Sequence, residues 1–391
     1  MAAARPLTLD ETNIALTLAL GKQPFTSEAT LGRALWPTDN FRSIITNLCG
    51  LFISVHDSKL SFIHQTAREF LMHKERQGTW QGRLNLSRAH SLLSRSCLQY
   101  LLLLDINSAA KNEDHPFLSY AASNWAFHFR SQDTEPSEKD GKDARQLCRV
   151  SGPRAQLWCQ FLEREDWNLQ RENWASWSDL TFASYLGLAT ITNDILTNEQ
   201  IDVNAKGGHY RTAIYAAVSR GYLNVIRVLL EPSHKVKITE EVVKAAAENQ
   251  YNGKEIMALL LDQRGTEVRI TEEVVKAAAR NNNREMMALL LDQRGTEFRI
   301  TEEVVKMIAG TFDKEMMALL LDQRGTEVKI TEEVVKAAAR NNNREMMALL
   351  LDRRGTEFRI TEEVVKMIAG TFDKEMMALL LDQRGTEVKI T

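Results

Sequence analysis

Residues 271–300 read TEEVVKAAARNNNREMMALLLDQRGTEFRI, and residues 301–330 read TEEVVKMIAGTFDKEMMALLLDQRGTEVKI. The pair returns at 331–390 with a single change, Gln293 becoming Arg353. A looser copy, two residues longer at its middle turn, occupies 239–270. Five tandem units with a period near thirty place the chain among repeat architectures, in which each unit buries its apolar face only against its neighbours.

Each unit carries two helical patterns. Thr271 stands where a hydroxyl caps a first helix, and Glu272 and Glu273 fill its first turn, where the helix dipole favours negative charge. Ala277, Ala278 and Ala279 are small enough for the next helix to approach closely. Asn281, Asn282 and Asn283 make the turn, since asparagine tolerates the left-handed conformation. Glu285 to Leu291 is the second helix, Gly295 its left-handed C-cap, and Thr296 to Ile300 the link onward. In alternate units Met307, Ile308 and Phe312 replace smaller residues, and Phe298 replaces a valine. Such alternation interdigitates a continuous core. The methionine pairs, Met286–Met287 and their equivalents, read as core filling and not as an adaptable binding surface.

Composition excludes several classes. The 391 residues are 44% hydrophobic and 26% charged, ordinary for a folded protein. A net charge of −3 and a pI near 6.3 leave no footprint for nucleic acid or anionic lipid. Cys49, Cys97, Cys148 and Cys159 show no C-x-x-C spacing, which points to free thiols of a reducing compartment. The apolar run Ile14 to Leu20 is too short to span a bilayer and follows Asp10 and Glu11 instead of a basic segment. A cytoplasmic protein without a cofactor is expected.

The N-terminal stretch changes character, with all seven tryptophans between Trp36 and Trp177. Thr8 and Glu11 form a capping-box pattern opening a helix that stops near Gly21. Thr26 or Ser27 caps a second helix, and Thr38 or Asp39 a third ending at Gly50. Leu51–Val55 and Lys59–Ile63 flank His56-Asp57-Ser58, a hairpin signal, and a further amphipathic helix follows. Three helices and a hairpin is the order of a winged helix. Beyond it, Leu84–Leu104 reads as an apolar helix capped by Ser87, and another opens at His115. Residues 133–145 read as a charged surface loop or a partly disordered excursion, and Gly152–Leu162 returns to helix. His90, His115 and His128 have no metal-ligand spacing and are expected to be partly exposed or capping.

LCGLFISVHDSKLSFIHQTAREFLM (48–72) resembles the winged-helix segment that follows the NACHT ATPase in large fungal NOD-like receptor proteins, a segment also named after GPI inositol-deacylase. RPLTLDE before it and FLSYAASNWAFHF after it look like the same family, so the resemblance spans residues 5 to about 130. It implies a relay between a ligand sensor and an ATPase. Ile63-His64-Gln65 resembles the Met-His-Asp motif of related signalling ATPases, whose histidine contacts bound ADP. The resemblance thus marks His64 for nucleotide sensing, although Gln65 replaces the acid. No G-x-x-x-x-G-K-[ST] loop occurs in the chain, so such a role requires an upstream or separate NACHT module. The competing reading of His64 is a cap at the end of the hairpin.

RTAIYAAVSRGYLNVIRVLLE (211–231) is similar to the ankyrin pattern, with Ala213 and Tyr215 where proline and histidine are usual, and DLTFASYLGLATITNDILTNEQ (179–200) is a more degraded version. The thirty-residue units follow the same plan with three residues fewer, which implies a shortened finger in place of a full β-hairpin, the alternative being a helical-hairpin solenoid of another type.

The expected fold is therefore mainly α, a small winged helix and helical spacer followed by an ankyrin-like α-solenoid. Its parts are a winged-helix domain at 1–80, a helical spacer at 81–176, two ankyrin-like repeats at 177–238 and five short repeats at 239–391. The expected function is a non-enzymatic protein–protein interaction scaffold with a protein ligand on the repeats. Tyr215, Lys276, Arg280, Lys306, Lys336 and Arg340 are the candidate contact residues. Near-identical units offer one surface repeatedly, which suits a repetitive or multivalent partner. A winged-helix DNA-binding regulator is the alternative, opposed by Arg42 and Lys59 being the only basic residues of the third helix and the wing. A hydrolase is a further alternative, without a G-x-S-x-G elbow to support it. Met1 falls near where the family's ATPase would finish, and Thr391 opens another unit without a polar capping repeat. A longer parent product is therefore an expectation.

Overall fold

The computed structural model describes residues 2–21, 24–73, 84–104, 115–165, 169–170, 173–281, 283–294, 299–355, 357–370 and 374–384. Within them the chain is mainly helical. Helix α1 (Leu9–Leu20) opens at the expected capping box. The Thr8 hydroxyl accepts from the Glu11 amide at 3.1 Å, and the Glu11 carboxylate accepts from the Thr8 amide at 2.8 Å. Helix α2 (Glu28–Ala34) is capped by Ser27. Helix α3 (Thr38–Cys49) has no side-chain cap, because Pro37 holds the N-cap position and Thr38 already lies inside the helix. Strands β1 (Ile53–His56) and β2 (Lys59–Phe62) pair antiparallel, Ile53 opposite Phe62 and His56 opposite Lys59. Asp57 and Ser58 both take left-handed φ values, 46° and 58°, the two-residue turn whose twist matches the strands. The segment before α1 lies along β2, with the Leu9 amide on the Ser58 carbonyl and the Leu60 amide on the Leu7 carbonyl. Phe41, Ile45 and Ile53 form the core beneath, joined by Leu9, Leu16, Trp36 and Leu60. Helix α4 (Gln65–Met72) completes a winged helix.

Helix α5 (Leu86–Leu103) is capped by Asn85 and not by Ser87, whose hydroxyl instead accepts from the Asp133 amide at 2.7 Å. It packs on α6 (Leu118–Arg130), burying Leu98, Leu101, Phe117 and Trp125. The segment expected as a charged loop is largely helix α7 (Glu138–Leu147). The correction has a physical cause, since its charges are anchors. Asp140 pairs with Arg95 of α5 at 3.0 Å and Arg145 with Asp179 at 3.1 Å, while Ala144 and Leu147 are buried. Helix α8 (Pro153–Glu165) sets Trp158 edge-on against Trp125 at 5.3 Å.

Two helix–turn–helix pairs follow, α9 (Asp179–Tyr185) with α10 (Ala189–Asn198), and α11 (Ala213–Arg220) with α12 (Leu223–Leu230). Gly187 and Gly221, at φ of 77° and 79°, make the two turns. In the loop before α11 Gly208 takes φ 63°, and a Cβ there would lie 1.9 Å from the Trp177 indole nitrogen. Only glycine lets that ring close over the loop.

The chain folds into two compact units, one of 1–216 with 227–234, the other of 217–226 with 235–391. The second unit holds the repeats as helix pairs. They are α13 (Glu240–Glu248) with α14 (Gly253–Arg264), α15 (Glu272–Arg280) with α16 (Arg284–Arg294), α17 (Glu302–Thr311) with α18 (Lys314–Arg324), α19 (Glu332–Arg340) with α20 (Arg344–Arg354), and α21 (Glu362–Gly370) with α22 (Lys374–Arg384). Val274, Val275, the three alanines of α15, Met286, Met287 and Leu290 are all buried, as are their counterparts in α19 and α20. The methionine pairs are core. In the alternate layer Ile308 and Phe312 are buried while Met307 is only half-buried.

The connection 265–271 carries no strand. Gly295, Phe298, Asn282 and Thr391 lie outside the described residues. Phe358 is buried, and Asn342 takes the left-handed φ of 51° expected of the turn. The left-handed C-cap is not found at the equivalent glycines. Gly265, Gly325 and Gly355 have φ of −53°, −56° and −55°, in the right-handed helical region. Glycine is needed at Gly325 for space, because a Cβ would sit 2.4 Å from the Leu321 carbonyl oxygen. Among the described residues, no helix is long and apolar enough to cross a membrane.

Candidate functional site

The surface of the array is governed by four ladders that cross from unit to unit. The first runs along the starts of the first helices. Thr271 holds the N-cap position but makes no capping bond, contrary to expectation. Its hydroxyl donates to Glu240 of the preceding unit at 2.6 Å, and Thr301, Thr331 and Thr361 donate likewise to Glu272, Glu302 and Glu332 at 2.9, 2.6 and 2.6 Å. The carboxylate one unit back takes the hydroxyl proton in a charge-assisted bond, which fixes the side chain toward the neighbouring unit.

Lysines extend this ladder. Lys276 reaches Glu272 at 2.7 Å and Glu273 at 3.2 Å, and Lys306 reaches Glu303 at 3.3 Å. Lys336 holds Glu332 at 2.9 Å, Glu333 at 3.1 Å and Glu363 of the next unit. These bonds raise the ammonium values of Lys276 and Lys336. Bonds from Lys276 and Thr301 lower Glu272, and bonds from Thr361 and Lys336 lower Glu332.

The second ladder links the starts of the second helices, Lys254 to Glu285 at 2.9 Å, Arg284 to Asp313, and Lys314 to Glu345 at 3.1 Å. The third lies at their ends. Arg264 pairs with Glu267 and donates to the Val236 carbonyl at 2.8 Å, and Arg354 pairs with Glu357 and donates to the Gly325 carbonyl. Arg353, the one residue that distinguishes the two sixty-residue copies, pairs with Asp322 of the preceding unit at 2.5 Å. The fourth ladder is made of turn asparagines. Asn343 accepts from the Met346 amide at 3.0 Å, capping its own second helix, and donates to the Phe312 carbonyl one unit back at 3.0 Å. Asn249, itself buried, donates to the Val218 and Ser219 carbonyls and accepts from the Tyr251 and Asn252 amides.

The contact residues expected from sequence therefore separate. Lys276, Lys306 and Lys336 are engaged by carboxylates, Lys336 being buried. Tyr215 is half-buried on α11. Arg280 and Arg340 are exposed at equivalent positions two units apart and make no ion pair or hydrogen bond among the described residues.

His64 caps α4. Its Nδ1 accepts from the Thr66 amide at 3.2 Å, and the residue is exposed. On α3, Arg42 donates to the Val55 carbonyl at 3.2 Å. Beside the winged-helix core lies an apolar cavity of about 530 Å³, lined by Ala15, Leu16, Ile45, Ile53, Leu60 and Leu92 among others. Among the described residues no cluster of three or more His, Cys, Asp or Glu could hold a metal, and three of the four free cysteines are buried.

One buried group was missed in sequence. His128, expected to be partly exposed or capping, is fully buried on α6. Its Nδ1 meets Nδ1 of His90 on α5 at 2.8 Å, and its Nε2 meets the Tyr120 hydroxyl at 2.7 Å. The Tyr120 oxygen in turn accepts from the Ala4 amide at 3.1 Å, and Arg5 lies over the Tyr120 ring while pairing with Glu11 at 2.6 Å. Burial, then the nearby His90 and Arg130 charges, pushes His128 down to about 3. Burial also lowers His90, against a weaker pull from Asp133, and raises the Tyr120 phenol. The only sequence signal was spacing. Tyr120 and His128 lie eight residues apart on one helix, which puts them on one face.

Comparison of the chain with known families finds two matching families. No curated protein matches it. Residues 229–257, 259–287, 289–317, 319–347, 349–377 and 379–391 match successive copies of a family described as a domain of unknown function, DUF7104. Each full copy covers the end of one second helix, the connection, a first helix and the start of the next second helix. Residues 1–81 match the family described as GPI inositol-deacylase, winged helix domain. The chain is thus similar to that winged-helix family over residues 1–81 and to DUF7104 repeats over most of residues 229–391.

Proposed function

We propose that this chain is a non-enzymatic interaction scaffold whose repeats, ankyrin-like in plan, hold a protein ligand. It would act as the sensing and relay half of a NACHT-type signalling receptor in the cytoplasm. The observation that supports a ligand on the array is the separation of its cations. Lys276, Lys306 and Lys336 are consumed by carboxylates of their own helices, and Lys336 also by Glu363 of the next unit, while Arg280 and Arg340 stand exposed and unpaired among the described residues, in near-identical surroundings. Two equal contacts at a fixed spacing suit a partner that repeats an acidic group, because the second contact forms at high effective concentration.

The relay half of the reading rests on the resemblance of residues 5 to about 130 to the segment following a NACHT ATPase. Nucleotide sensing at His64 belongs to it only beside such a module, since Nδ1 is spent on the α4 cap and Nε2 alone remains for a phosphate.

The test is ligand capture on the full chain, followed by Arg280→Glu, Arg340→Glu and the pair. Each single variant is expected to weaken binding several-fold and the pair to abolish it, with unchanged thermal melting. Equal binding by the double variant overturns the array surface. Calorimetric nucleotide binding by the chain alone overturns the stated limit on His64. The DNA-binding reading requires a salt-dependent gel shift, which Arg42, committed to the Val55 carbonyl, does little to support.

A further inference from the structure

We propose that the buried His90–His128–Tyr120 chain is an acid-releasable latch that holds the N-terminal segment of the winged helix against the helical spacer. At neutral pH one direction of donation satisfies every atom. The Ala4 amide donates to the Tyr120 oxygen, the Tyr120 O–H donates to His128 Nε2, and His128 Nδ1–H donates to His90 Nδ1. The reverse direction leaves the Tyr120 proton without an acceptor in a buried site, so the first is favoured.

Protonation acts in two steps. A first proton on the pair leaves one N–H between the two Nδ1 atoms, whichever ring carries it, and puts a proton on His128 Nε2, aimed at Tyr120. The tyrosine oxygen then faces two donors, His128 and Ala4, and its own proton is orphaned. A second proton would place N–H groups head to head across 2.8 Å, which the structure cannot hold. The natural escape is separation of α5 from α6 at this point and loss of the Ala4 anchor.

The charged groups around the pair do not neutralise it. Asp133, following α6, is the one acid pulling toward the charged form of His90. On α6 itself Arg130 opposes protonation of His128. From the N-terminal segment, Glu11 is already held by Arg5, and from α5 the Cys97 thiol is buried with its ionisation pushed far up. Asp140 of α7 is committed to Arg95.

The sign follows from linkage. Both histidines titrate lower in the folded state than their ordinary value of 6.5, so the latch is fully stable above that pH. It weakens as pH falls from 6.5 toward the folded values, because the released state binds protons that the closed state refuses.

The test is hydrogen exchange by mass spectrometry on the full chain between pH 7.5 and 5.0, corrected for intrinsic rates. Peptides covering 2–12 and those covering α15 are followed together. Protection of 2–12 is expected to fall about tenfold per pH unit below about 6.5 for each proton taken up, while α15 stays protected. A pH-independent profile for 2–12, or equal losses in both regions, overturns the proposal without any variant. His90→Asn keeps a hydrogen-bonding group and removes one of the two titrating rings, so its profile should flatten to at most one proton's slope. Tyr120→Phe frees Ala4 and should leave 2–12 poorly protected at every pH. A His90→Asn profile as steep as wild type also overturns the latch.

Discussion

The Thr331 hydroxyl donates to Glu302 at 2.6 Å, one unit back along the array, and leaves its own helix without a side-chain cap. A residue that reads in sequence as a local helix start is therefore a cross-unit tie. Its donor has the same destination in four successive units.

Thr331→Val should thus weaken the interface between adjacent units, by about 1 kcal/mol for one partly hydrated bond. Thr331→Ser should restore most of it. Urea melts of the three proteins check this; a valine variant indistinguishable from wild type would show the tie to be energetically idle.

The alternating layer predicts unequal costs within one dipeptide. Ile308 is buried and Met307 half-buried, so Ile308→Ala should cost about 2–4 kcal/mol and Met307→Ala less than half as much. Thermal melts of both single variants and the double decide it. An unchanged midpoint for the double would remove these residues from the interface core.

Asn249 makes two donor and two acceptor bonds from a buried side chain. Asn249→Ala leaves two carbonyls and two amides without their partner, and should destabilise by about 2–4 kcal/mol. The loss should appear as faster hydrogen exchange in α11 near Val218 as well as in the turn at Tyr251.

Arg353→Gln makes the two sixty-residue copies alike and removes only the pair with Asp322. Both side chains are well exposed, so the cost should be at most about 0.5 kcal/mol and should vanish in about 1 M salt. A salt-insensitive loss would mean that Arg353 acts through packing.

Several features could be read from residues alone because their causes are local. The Thr8–Glu11 capping box, the His56–Lys59 turn and the helix pairs of the array each depend on chain neighbours a few positions apart. The misreadings have one source. Residues 133–145 look like a solvated loop until Arg95, Asp179 and Glu199, all distant in sequence, are found to hold α7. Ser87 and Thr271 are sound capping residues whose hydroxyls found other partners. His128 looks like an ordinary surface histidine until α5 brings His90 onto it.

The amino-acid sequence by itself determined the period, the paired helices of each unit, the winged-helix order and the slightly negative net charge. These follow from hydrophobic spacing, turn chemistry and net composition, which act within a few residues. Only the tertiary structure decided which polar groups are spent and which remain. A lysine or threonine carries no mark of the carboxylate it will meet one unit away. For that reason Lys336 proved to be part of the frame while Arg340, four residues later, stayed open to solvent.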